Sequence, residues 1–276
     1  MCTSKDPEYQ SAFHRLFIAR APADIIQVLT SVIAFRLPIL GWQFASDHPI
    51  MAKIGFVVSQ YVVLLELCAL CLLSANRMTA IAFPLEHNKL WSTTRLYFSF
   101  LVSALLSLIP TVVRIPQPAG YMENNGSYVP HLINPGDQEK NSTITCILYV
   151  SFCVASLSFN IAAITILAKQ RSMQLFETQQ HLAIRVQQNL LVYSCIFTFI
   201  VCAMTITQLM LAFNAFPLRS DLHNYVIVTL SFFADALALL NPWLLIILSK
   251  SFCQKFRKTS NLQMIFAPSG ETGETA

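Results

Sequence analysis

Long uncharged runs alternate with short charged stretches along this chain, and the runs have the length of bilayer spans. A helical span takes about 20 residues, with about 17 as the lower limit. Leu96–Val113, Asn141–Ala168 and Val186–Leu218 meet that length without a single charge. Ile54–Asn76 meets it with Glu66 as its only charge, and Tyr225–Ser249 does so around Asp235. A sixth run, Ala23–Phe44, is apolar but contains Asp24, Arg36 and Pro38, and central charges oppose insertion by several kcal/mol. The pattern predicts an all-α, polytopic transmembrane helix bundle of six recognisable spans. They lie near 23–44, 54–76, 96–113, 143–168, 189–213 and 225–249, between an N-terminal segment, 1–22, and a tail, 250–276.

The second run ends in Leu72-Leu73-Ser74-Ala75-Asn76-Arg77-Met78-Thr79-Ala80-Ile81-Ala82-Phe83-Pro84. A lone arginine leaves an apolar helix here, and Pro84 marks where that helix stops or kinks. The mixed-charge loop that follows, with Glu86, His87, Lys89 and Arg95, puts Arg77 at a membrane face.

Composition agrees. Hydrophobic residues make up 55% of the 276 and charged ones 12%, against roughly a quarter in soluble domains. The net charge of +4 sits mostly in short loops and the tail, where it carries topology information and gives no reason to expect nucleic acid. Cys68, Cys71, Cys153, Cys195 and Cys202 fall inside apolar runs as small hydrophobes, not as a disulfide framework. The six histidines are scattered, and no Gly-rich phosphate loop is present. The expectation is a protein that is not an enzyme and has no cofactor or metal site.

Two signals give an orientation. Asn125-Gly126-Ser127 and Asn141-Ser142-Thr143 are glycosylation sequons on either side of one polar loop, which favours an external loop. Basic residues collect on the other side, at Lys89 and Arg95, at Lys169, Arg171 and Arg185, and at Lys250, Lys255, Arg257 and Lys258. Arg77 and the tail then share the cytoplasmic face, and six spans leave both termini there.

Several polar residues inside the spans are candidates for function. Glu66 is an intramembrane carboxyl, either a functional group or a neutral acid bonded between helices. Ser59 lies two turns outward on the same helix face with Gln60 beside it, so the three form a candidate ligand pocket. Ser and Gln also serve as glue between helices. Asp235 is the second intramembrane acid, with Ser231 one turn away as a bonding partner. In the tail, Phe252 and Phe256 among basic residues fit a short helix on the inner leaflet, with Cys253 a candidate lipidation site.

The run Asn76-Arg77-Met78-Thr79-Ala80-Ile81, then Phe83-Pro84-Leu85 and Lys89-Leu90-Trp91, resembles the nematode serpentine chemoreceptors of classes gamma and V, a divergent group of seven-transmembrane G-protein-coupled receptors. Asn241-Pro242-Trp243 and Ser249-Lys250-Ser251-Phe252 resemble the end of the last receptor helix. The resemblance implies a receptor for an external small chemical cue, partnered by a heterotrimeric G protein in the lipid bilayer. Asn76, Arg77, Asp235, Asn241 and Pro242 would form its coupling and switch residues. Ser11–Phe17 and Arg36-Leu37-Pro38 resemble the loop and second helix of the family, so the equivalent of the first receptor helix is absent on that alignment. The chain departs from receptors at large in having Asn76 where an acid usually precedes the arginine, and Leu245 where a tyrosine follows the Asn-Pro pair. Alternatives are a small transporter using Glu66 and Asp235, which predicts internal repeats that the chain lacks, and a truncated receptor product that does not signal.

Overall fold

The computed structural model describes residues 12–124, 126–173, 181–213 and 221–248. The chain divides into two compact units, residues 1–239, which hold the bundle, and residues 240–276. Helix α1 (Ala12–Thr30) continues through a π-helical segment (Ser31–Arg36) into the single turn α2 (Leu37–Ile39). Short α3 (Phe44–Asp47) leads to α4 (Ile50–Ala82), then α5 (His87–Leu90) and α6 (Thr93–Arg114). A hairpin of β1 (Ala119–Asn124) and β2 (Ser127–Leu132) precedes α7 (Pro135–Met173), α8 (His181–Ala212) and α9 (Asp221–Leu248). Among the described residues, five helical stretches are long and apolar enough to cross a membrane: Arg15–Ile39, Ile50–Ala82, Thr93–Arg114, Pro135–Gln170 and Leu191–Ala212. α9 adds a shorter apolar stretch, Tyr225–Leu240. The protein is an all-α polytopic bundle.

α4 is the central element and packs against α1, α6, α7 and α8. It stops at Ala82, where Pro84 removes the next donor and restricts the residue before it. α6 shows how a helix suits lipid: its buried face is Leu96, Ser103, Ser107 and Thr111, while Phe98, Leu101, Leu105, Ile109 and Val112 are exposed. The small residues face inward so that backbones approach closely. Their hydroxyls donate to carbonyls four residues back, Ser103 to Ser99 at 2.9 Å, Ser107 to Ser103 at 2.9 Å and Thr111 to Ser107 at 2.7 Å. Each of these three hydroxyls is thereby satisfied within its own helix.

Two features depart from the sequence expectation. The first span runs over Arg15–Ile39, so it begins inside the expected N-terminal segment 1–22 and ends before Phe44. Arg20 and Asp24 lie one helical turn apart and pair with each other at 2.9 Å, so neither charge ends the helix. The polar loop after α6 is largely ordered secondary structure: an antiparallel hairpin pairs Ala119 with Leu132 through Asn124 with Ser127, and α7 starts already at Pro135. Gly126 turns the hairpin at φ 79°, a conformation that suits glycine. Pro135 supplies a preset φ at the first helical position.

The π-helical segment follows from Pro38. Proline has no N–H to offer the carbonyl four residues back, that of Ala34, and that oxygen accepts instead from the Tyr121 hydroxyl at 3.0 Å. Leu37 N–H donates to Val32, five residues back. α4 comes so close here that a Cβ on Gly55 would meet the Ala34 Cβ at 2.4 Å.

Candidate functional site

A cavity of about 140 Å³ opens near the hairpin end of the bundle. α4 presents Phe56, Ser59, Gln60 and Val63, one and two turns apart along the helix. The far wall is polar, with Gln138, Ser142, Thr145 and Tyr149 from α7 and Gln208 from α8. Pro130, His131 and Leu132 of β2 form the cap, and Ile227, Leu230, Ser231 and Ala234 close the α9 side. Gln60 Nε2 donates to Thr145 Oγ1 at 3.3 Å, and Gln208 Nε2 to the Ser142 carbonyl at 3.1 Å. The Ser59 hydroxyl donates to Gln27 Oε1 at 3.3 Å. Arg114, at the end of α6, reaches the Phe56 carbonyl at 3.3 Å and lies 5.6 Å from the centre of the Phe56 ring. On β1, Tyr121 is partly buried under the cap, and burial pushes its phenol up to about 12.

Glu66 is not among the lining residues. It shares the Ser59 face but sits two turns deeper, fully buried, with its carboxylate 3.9 Å from Arg20 Nη2. Arg20 is equally buried; besides pairing with Asp24 it donates to the Leu237 carbonyl of α9 at 3.1 Å and lies over Phe197 of α8 at 5.5 Å. One guanidinium thus ties α1 to α4, α8 and α9. The expected trio of Ser59, Gln60 and Glu66 therefore divides into two cavity residues and one member of an ion cluster.

Asp235 belongs to a second ion pair. Arg36 binds its Oδ2, the Ser31 hydroxyl donates to the same oxygen at 2.7 Å, and Ser31 lies 3.3 Å from the Ser231 hydroxyl. Residues five apart diverge on an α-helix, but the wider π turn brings Ser31 and Arg36 to one side. Arg36 also covers the Phe232 ring at 4.5 Å. Ser231 is thus linked to Asp235 through Ser31. Nothing in the primary pattern marks Arg20 or Arg36 as partners of these acids.

Further along α4 a buried polar chain crosses three helices. Ser74 lies 3.0 Å from Ser194, which donates to Asn160 Oδ1 at 2.7 Å, and Asn160 Nδ2 donates to Thr198 at 2.7 Å. Asn76 and Arg77 follow half a turn on, both buried at 1% and 5% exposure. The Arg77 side chain is therefore enclosed by the bundle. The segment after α4 folds over this end, where Trp91 Nε1 donates to Thr79 Oγ1 at 2.7 Å, and from α7 Gln170 Nε2 donates to the Ile81 carbonyl at 2.9 Å. His87 of α5 is half-buried close to Arg77, and both the burial and the guanidinium hold its imidazole below the usual histidine range.

The remaining expected sites fare differently. Asn141 lies on α7 at 5% exposure, its amide donating to Gln117 Oε1. Asn125 and Cys253 lie outside the described residues. Asn241 and Pro242 fall on α9, and their side chains also lie outside the description. Among the described residues, no group of histidine, cysteine, aspartate and glutamate is arranged to hold a metal.

The cavity, the paired intramembrane acids and the capped Arg77 end fit the receptor resemblance of the motifs. No curated protein matches the chain. The family described as serpentine type 7TM GPCR chemoreceptor Srv matches residues 1–262. With nearly the whole length matched, this multi-pass membrane protein belongs to the Srv family of serpentine chemoreceptors.

Proposed function

We propose that the chain is a chemosensory receptor whose cavity at the hairpin end binds an external small chemical cue and whose Arg77 end engages a heterotrimeric G protein. The observation that carries this reading is the cavity, a concave site with an apolar floor and several convergent polar groups. The hairpin end faces outward on the positive-inside rule, with the loop that holds Lys89 and Arg95 at the other end of the bundle. Six helices cross the bilayer in this reading, α9 being the sixth, and both ends of the chain lie in the cytoplasm.

Signal transfer runs along α4. Gln60 and Arg77 are 17 residues apart, about 25 Å along a helix axis. Between them stand the Arg20 cluster and the Ser74–Ser194–Asn160 chain, which hold α4 against α1, α7 and α8. Ligand contact on Gln60 and on Ser231 shifts α4 relative to α9, and the ion pairs couple that shift to Asn76 and Arg77. A transporter using Glu66 and Asp235 as carriers is disfavoured, because both acids lie within salt-bridge range of an arginine. The test is nucleotide exchange on a G protein in membranes holding the full chain, challenged with a panel of small odorants. A response abolished by Ser59→Phe at unchanged surface level supports the reading. A response untouched by Ser59→Phe refutes the cavity, and substrate uptake without exchange refutes the receptor.

A further inference from the structure

We propose that the cavity recognises its ligand as an organic anion: a small carboxylic acid, bound as its carboxylate by Arg114, with an apolar body on the α4 and α9 walls. This inference rests on the reading of the cavity as the ligand site and names the class of molecule that enters it.

Charge is the first argument. Nineteen residues line the cavity, and Arg114 is the one among them with a permanent charge; none is aspartate or glutamate. A cationic ligand would meet a guanidinium with no counter-charge in the wall, whereas an anion meets its complement. The second argument is what Arg114 does not touch. Arg20 and Arg36 each have a carboxylate within salt-bridge range, but among the described residues no carboxylate lies within 4 Å of Arg114. Its hydrogen bond is a long one to a backbone carbonyl, which leaves most of the five guanidinium donors uncommitted. A planar fork of this kind takes a carboxylate through two parallel bonds, stronger than neutral ones.

The rest of the lining sets size and shape. A volume of about 140 Å³ is below the roughly 300–1,000 Å³ of drug-sized sites, so the ligand is small. Gln60, Ser142, Thr145 and Gln208 are neutral donors and acceptors suited to the second carboxylate oxygen or a hydroxyl near it. Phe35, Val63, Leu211, Ile227 and Leu230 offer an apolar surface for a short chain or a single ring.

The experiment uses the full chain in lipid nanodiscs and reads thermal stabilisation by hexanoate and phenylacetate against hexanamide and phenylacetamide. The acids are expected to stabilise the wild type at concentrations about 10- to 100-fold below those of the amides, the worth of one charged hydrogen bond. Arg114→Gln should erase that difference, while Arg114→Lys, which keeps the charge, should retain part of it. The unliganded melting temperature of each variant reports folding, and the lysine variant keeps the test intact if the glutamine variant does not fold. The proposal is overturned if no acid in the set stabilises the wild type, if the amides do so equally well, or if the acid preference survives in Arg114→Gln. Leu211→Trp, which fills the cavity, separates the two readings. Loss of all binding in that variant with no acid preference in the wild type removes the anion and leaves the cavity as the site. Binding unchanged by the tryptophan removes the cavity itself.

Discussion

Arg20 and Arg114 are both arginines held within an apolar bundle, yet they stand in opposite surroundings. Arg20 is enclosed, with Asp24 at 2.9 Å, Glu66 at 3.9 Å and a helix carbonyl at 3.1 Å. Arg114 looks into a cavity and, among the described residues, has a single long hydrogen bond, to the Phe56 carbonyl. A charge in a low-dielectric interior is tolerated when acids and carbonyls surround it, and a charge so surrounded has little left for a ligand. A cation at the edge of a cavity keeps its donors for whatever enters. The contrast separates a structural arginine from a recognition arginine on geometry alone.

The contrast breaks first at Arg20. Arg20→Met leaves Asp24 and Glu66 buried without their cation, and removing one partner of a buried pair costs about 3–5 kcal/mol. Loss of surface expression, or a large fall in the melting temperature of the purified chain, is the expected result. Glu66→Gln removes the acid in excess of the single guanidinium and should be far milder on the same assays. Asp235→Asn comes next. Arg36 is a third exposed and has water as an alternative partner, so the loss should be about 1–3 kcal/mol, read as a smaller drop in melting temperature. Gly55→Ala tests how closely α4 meets the π-helical segment. The new methyl overlaps Ala34, and an overpacked contact of this kind costs about 1–3 kcal/mol, which Ala34→Gly in the same chain should largely restore.

The smallest effect concerns His87. Its imidazole is held below the usual range in the folded chain, so the unfolded chain binds the extra proton first as the pH falls. The associated stability is complete above the unfolded value of about 6.5 and is lost as pH falls from there toward the folded value. Melting temperatures recorded between pH 7.5 and 5.5 should show that slope in the wild type and a shallower one in His87→Gln.

Much of the bundle is legible in the sequence because its signal is local. Runs such as 54–76 and 96–113 carry hydropathy over a whole bilayer, and Pro84 acts within a few residues. Helical spacing puts Ser59 and Glu66, two turns apart, on one face with Gln60 beside Ser59. That spacing does not fix depth against other helices, so Glu66, on the same face, drops below the cavity to Arg20. The start of the first span is hidden because Arg20 and Asp24 read as charges that oppose insertion until their pairing is seen. Ser31, Arg36 and Asp235 meet across some two hundred residues through a π turn whose one local trace is Pro38.

All of these roles depend on which end of the bundle faces out. The direct measurement is an epitope tag placed in the hairpin turn at Gly126, with a second at the C-terminus, probed in intact and permeabilised cells. The account predicts that the turn tag is seen in intact cells and the C-terminal tag only after permeabilisation. A turn tag seen only after permeabilisation, with the C-terminal tag exposed on intact cells, would put the cavity on the cytoplasmic side and contradict a receptor for external cues.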